Sequence, residues 1–154
     1  MKTKIKSGIL YTLILLLTPI LWVGCATPPP PKPIETADFS RVATILVQRL
    51  LEKGILDKVV NPPAKLRFLT VVNNTTEHMD TSLIGNKLQV ALNESGKVSI
   101  TLNPAMPVDY IISGKILSTY VNTGESRTRT YTFQLTLTDP QGSAVWVGEE
   151  EVKK

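Results

Sequence analysis

The sequence predicts a small α/β (α+β) domain of two or three layers, with helices flanking a mostly antiparallel sheet of about five strands that ends in a meander. Two segments repeat apolar residues at helical spacing, two short β-prone runs accompany them, and the C-terminal third alternates apolar with polar residues through three stretches. No internal repeat interrupts this order.

Asp38 is placed to cap a first helix whose stripe is Phe39, Val42, Ala43, Leu46, Val47, Leu50 and Leu51, closed by Gly54. Asn61-Pro62-Pro63 breaks the chain, since neither proline can donate to a helix or a ladder. Leu66 to Val72 is a continuous β-prone run, too short for a helix, and Asn73-Asn74-Thr75-Thr76 turns the chain. A second helix is expected from about Asp80 to Asn93 on Leu83, Ile84, Leu88, Ala91 and Leu92, with Gly96 closing it. Val98, Ile100 and Leu102 alternate as a second strand, ended by Asn103-Pro104 and Pro107. Tyr110 to Val121, Arg127 to Thr138 and Ser143 to Val152 make the meander.

Turn chemistry sets an expected register. Asp139-Pro140-Gln141-Gly142 has the proline and glycine of a β-turn, which puts Leu137 opposite Ala144, Leu135 opposite Trp146 and Phe133 opposite Gly148. Tyr131, Phe133, Leu135 and Leu137 then form one apolar face, and Trp146 joins the core. A loop at Asn122-Thr123-Gly124-Glu125 puts Phe133 over Gly114 and Arg127 beside Tyr120, in cation–π reach. The opposite face carries Thr128, Thr130, Thr132, Gln134, Thr136 and Thr138, with Val145 and Val147 among them. Such a face reads as solvated sheet or as a flat, uncharged docking surface, for which Thr132, Gln134 and Thr136 are the candidates.

The N-terminus reads as an export signal. Lys2, Lys4 and Lys6 precede an apolar run from Ile9 to Val23, shorter than the roughly 20 residues of a membrane span. Gly24-Cys25 ends it and resembles a bacterial lipobox, with Leu21 one place upstream of its usual position, which Trp22 takes. Cys25 is the single cysteine, so it is the candidate lipidation site, with cleavage between Gly24 and Cys25. The expected organisation is a signal peptide at 1–24, a proline-rich tether at 25–37 and a globular domain at 38–154. Four consecutive prolines from Pro28 to Pro31 and a fifth at Pro33 stiffen that tether toward polyproline II, about 3.1 Å per residue.

The chain carries a net charge of +4, but of its 17 basic residues three precede Cys25, leaving 14 against 13 acidic. The mature protein is thus nearly neutral, which argues against a nucleic-acid partner. An acylated Cys25 leaves no thiol for a disulfide, a metal or a nucleophile. His78 is the single histidine and sits in a loop before a helix, without a partner for a metal or a triad. Glu149, Glu150 and Glu151 alternate faces of a strand and cannot pair in one cleft, while Asp109 and Asp139 are explained by capping and turns. The glycines have no phosphate-cradling spacing. The expectation is therefore no enzyme, no cofactor, no metal and no small-molecule substrate.

Several motifs together resemble one family. Leu69-Thr70-Val71-Val72-Asn73-Asn74-Thr75-Thr76, Ala91-Leu92-Asn93-Glu94-Ser95-Gly96-Lys97-Val98, Asp109-Tyr110-Ile111-Ile112-Ser113-Gly114, Phe133-Gln134-Leu135-Thr136-Leu137 and Val145-Trp146-Val147-Gly148 are similar in order and spacing to the LpoB-type activators of penicillin-binding proteins. The resemblance implies a lipoprotein anchored in the outer membrane and facing the periplasm, with helices packed on a mostly antiparallel sheet. It implies binding to a bifunctional class A penicillin-binding protein, stimulating peptidoglycan synthesis and so cell-wall biogenesis and cell shape. Ala26 after the cysteine fits outer-membrane sorting. Asn73, Asn74 and Thr75 are the motif positions carried over as candidate partner-binding residues. The best-known members of that family have a long disordered linker and a helical insertion between the second and third strands, where this chain has a short proline rod and only Asn103 to Val108. The same module occurs in lipoproteins related to curli-secretion components, so a structural or assembly role in the outer membrane is the alternative reading.

Overall fold

Helix α1 (Thr36–Glu52) starts two residues before the expected cap, taking Thr36 and Ala37 from the tether. Glu35 is its N-cap, and Asp38 works from the first turn instead, its carboxylate accepting the Glu35 N–H at 3.0 Å. The computed structural model describes residues 34–122 and 127–153, so the signal segment, Cys25 and most of the tether lie outside the described residues. Gly54 follows α1 at φ +64°, a left-handed stop that a side chain would resist. A short 3₁₀ turn, Leu56–Lys58, then buries Leu56.

The expected strand from Leu66 to Val72 is two strands, β1 (Ala64–Phe68) and β2 (Val72–Asn74). Both pair in parallel with β4 (Tyr110–Asn122), with Phe68 opposite Ile112 and Val72 opposite Lys115. Four steps on one strand thus match three on the other. The extra residue works as a bulge does, letting both Phe68 and Val71 turn toward the helices where strict alternation would send Val71 outward. Val71 is accordingly buried.

Helix α2 (Thr81–Glu94) begins about where expected and is capped by Asp80, whose Oδ1 accepts the Leu83 N–H at 2.9 Å. Its buried stripe is Ile84, Gly85, Leu88 and Leu92, while Leu83, expected inside, is exposed. Strand β3 (Val98–Thr101) stops one residue short of Leu102, which is 74% exposed rather than inward. Strands β5 (Arg127–Thr138) and β6 (Ala144–Lys153) complete a sheet of order β3-β1-β4-β5-β6, with β2 continuing β1 beside β4. The α/β class is therefore as expected. The meander is antiparallel, and the half around β1 is parallel because α2 carries the chain from the β1–β2 segment back to β3.

Both expected registers are displaced by two residues. Leu137 faces Trp146 and Leu135 faces Gly148, with an irregularity beside Leu137 and Thr138 that gives Val145 no partner across the ladder. On the other side Leu135 faces Gly114 and Arg129, not Arg127, faces Tyr120, with its guanidinium 6.0 Å from the ring centroid. Strand β4 reaches Asn122, so the connection is 123–126, outside the described residues. A shift of two preserves the face of every side chain, which is why the inward set was legible although the pairing was not.

That inward set packs against α1. Phe39 meets Tyr131 and Phe133 edge to face, at centroid distances of 6.3 and 6.4 Å. Phe133 also covers Gly114 from the neighbouring rung, as the expected pairing would have done directly: a Cβ there would lie 3.2 Å from the ring and 3.0 Å from Val71. Trp146 is half-buried and packs on the rim of this core.

Candidate functional site

Among the described residues only the β3–β4 connection lies on the side of the sheet away from the helices, and the rungs of that side assemble residues distant in sequence. Asn74 of β2 pairs with Leu117 of β4, which pairs with Thr132 of β5, which pairs with Glu151 of β6. The next row is Val72, Lys115, Gln134 and Glu149, and the next is Ser113, Thr136 and Val147. Four of the six candidate partner-binding residues, Asn74, Thr132, Gln134 and Thr136, thus share one face.

The face is less uniform than its β5 stripe implies. Lys115, Glu149 and Glu151 place charge on it, and Gln134 Nε2 donates to Glu149 Oε1 at 2.5 Å. Of the two valines expected at its centre, Val147 is there at 48% exposure, while Val145 sits in the irregularity near the turn. Beside the β1–β2 break an open apolar hollow of about 570 Å³ is lined by Leu69, Val72, Ser113 and Lys115 among others. Leu69 and Val72 are half-exposed there, so apolar surface comes from a strand the alternation argument never reached.

Asn73 and Thr75 stand apart from this face. Asn73 pairs with inward Ile116, and its side chain is consumed by the turn. Nδ2 donates to the Glu77 carbonyl at 2.8 Å, while Oδ1 accepts from Thr75 N at 3.0 Å and Thr75 Oγ1 at 2.8 Å. Thr75 Oγ1 in turn accepts the Glu77 N–H at 3.2 Å. Glu77, so positioned, forms an ion pair with Arg129 and accepts from the Tyr131 hydroxyl at 3.4 Å. Tyr131 first, and Glu77 after it, push the Arg129 pKa above its already high ordinary value, so the guanidinium stays charged.

The connection from β3 to β4 crosses β1 on the bare side. Arg67 points out of β1 beneath it and donates to the carbonyls of Pro104 and Met106, both at 2.8 Å. Asp109 closes the crossing: its carboxylate accepts the Lys65 N–H at 2.7 Å and its own N–H returns to the Lys65 carbonyl at 2.8 Å. Asp139 instead shapes the β5–β6 turn, accepting from Gln141 and Ser143 N–H groups at 3.0 and 2.8 Å. His78 is exposed in the loop before α2. Among the described residues no group of three or more His, Cys, Asp or Glu side chains could hold a metal ion, and no helix is long and apolar enough to cross a membrane.

Fold and site define a small α/β domain with helices on one face of a mixed sheet and, among the described residues, a largely uncovered polar face on the other. Residues 38–108 match the model of the family described as peptidoglycan-synthase activator LpoB. Among solved structures the fold is similar to the LpoB C-terminal domain from Salmonella enterica, at 18% identity and a TM-score of 0.55, covering 76% of this chain and 99% of that one. It is also similar to the LpoB C-terminal domain from Escherichia coli, at 16% identity and a TM-score of 0.51, with the same coverage. A search of curated protein sequences returned no match. Residues 38–108 thus carry the pattern of that family, and the fold is similar to those C-terminal domains.

Proposed function

We propose that this chain is a lipid-anchored activator of peptidoglycan synthesis that docks on a class A penicillin-binding protein through the bare face of its sheet. The observation that carries the docking site is the gathering of Asn74, Thr132, Gln134 and Thr136 on one side of four adjacent strands, beside the exposed Leu69 and Val72. The family described by the matching model supports the kind of partner. Cys25 supplies the anchor, with cleavage after Gly24 and the outer membrane, facing the periplasm, as the site of attachment. An activator of this kind holds its synthase in the active conformation by binding that conformation more tightly than the resting one, and performs no chemistry itself.

The test is to add the domain from Ile34 onward to the cognate class A synthase and measure glycan-strand formation. The rate is expected to rise with domain concentration and to saturate. Thr132→Lys with Thr136→Lys should remove the effect while leaving the melting curve in place, since a half-buried threonine pointing away from the core contributes little to folding and a lysine buried in the complex without a partner costs about 2–5 kcal/mol. Binding without any rate change would sink the activator reading. Full stimulation by the double variant would move the contact off this face.

A further inference from the structure

Because β3 stops at Thr101, opposite Arg67, no described strand flanks β2 on the side away from β4, and the space between the β1–β2 break and α2 stays open. A cavity of about 210 Å³ fills it, on the helix side of the sheet and so apart from the threonine-bearing face. Helix α2 presents Ser82, Asn86 and Gln89 to it from one stripe, four and seven residues apart, and the break adds Thr70. Phe68 and Leu102 supply its apolar lining. Gly85, in the same stripe, lets the Phe68 ring lie close, since a Cβ there would stand 3.4 Å from Phe68 Cε1.

Two properties narrow the ligand. No charged side chain lines the cavity, so an ionic group would enter it without a counter-charge. The side chains of Thr70, Ser82, Asn86 and Gln89 hydrogen-bond to no other described group of the protein, so two hydroxyls and two carboxamides converge with their bonding capacity unspent. The volume is below the roughly 300–1,000 Å³ of pockets for drug-sized ligands, which suits one ring.

We propose that this cavity holds one N-acetylated hexose unit of a glycan. The carboxamides of Asn86 and Gln89 each donate and accept, matching the N–H and carbonyl of an acetamido arm. Thr70 and Ser82 meet the ring hydroxyls, and Phe68 with Leu102 covers the apolar C–H face of the sugar. The site stands on these side chains alone and does not depend on the activator reading.

The probe is the β-1,4-linked trimer of N-acetylglucosamine, titrated into the ¹⁵N-labelled full chain, with cellotriose and a neutral blocked dipeptide amide in parallel arms. Backbone signals of Gly85, Asn86 and Gln89 should shift, with a dissociation constant of about 1 mM. Cellotriose, which lacks the acetamido arm, should bind more weakly and the peptide not at all. Asn86→Ala and Gln89→Ala should each weaken binding by about three- to tenfold, the scale of one lost hydrogen bond, with unchanged melting curves. The proposal is overturned if those signals stay still, if both variants bind the trimer as the parent does, or if the peptide binds as well as the sugar.

Discussion

Trp146 lies across Gly148, two residues along the same edge strand. A Cβ at Gly148 would overlap the indole at Cη2, stand 2.6 Å from its Cζ2 and stand 3.2 Å from Leu46 Cδ2 of α1. The glycine is thus the floor on which the indole rests beneath the first helix.

Gly148→Ala should therefore lift the indole and loosen α1 from the edge of the sheet. Overpacking of this kind costs about 1–3 kcal/mol. A denaturant titration of the domain from Ile34 reads the loss, and a red shift of Trp146 emission reads the exposure. Trp22 lies outside that fragment, so the signal is unambiguous. Unchanged stability and emission would show that the ring has room elsewhere.

The Asn73–Thr75 turn separates folding from binding. Asn73→Ala removes one donor and an acceptor serving two bonds, so it should destabilise the domain by about 1–3 kcal/mol. Asn74, whose side chain is exposed on the bare face, should tolerate alanine within about 0.5 kcal/mol. If that face docks a synthase, Asn74→Lys lowers affinity without moving the melt. Equal stability of the two alanine variants would contradict the hydrogen-bond assignment.

Arg67 ties the crossing connection to β1. Arg67→Ala should free the Pro104 and Met106 carbonyls and accelerate amide exchange between residues 103 and 108, leaving α1 and β5 protected. Arg67→Lys should rescue it only in part, since a shorter side chain must bring its ammonium to the place of the one guanidinium nitrogen, Nη2, that serves both carbonyls. Unchanged exchange in the alanine variant would mean that the loop is held by its own turn at Asn103.

Anchoring is tested at Cys25. Cys25→Ser should abolish incorporation of labelled fatty acid and either release the protein from the membrane fraction or stall its processing. Labelling that persists in the serine variant would rule out this cysteine as the acceptor.

Local pattern by itself determined the elements and the faces of this protein. Asp80 ahead of an apolar stripe, Gly54 and Gly96 at helix ends, and period-two alternation from Tyr131 to Leu137 are short-range signals, and each appears where it was read. Tertiary structure decided what those signals leave open. The register moved by two residues at both hairpins, because β4 runs further than expected and because one extra residue in the β5–β6 turn and one at the irregularity beside Leu137 add up, which turn chemistry alone does not encode. The extra residue between Phe68 and Val72 was invisible because a continuous β-prone run looks the same with or without a bulge; the inward places for Phe68 and Val71 exist only once α2 and β4 are there to receive them. Leu83 and Leu102 fell outside the core for the same reason, since apolar periodicity names a stripe but not its edge. The candidate face shows the division most sharply. Alternation put Thr132, Gln134 and Thr136 on one side of a strand, but only the parallel pairing of β2 with β4 set Asn74 in line with them, because hydrogen bonds between strands join residues that no local pattern connects.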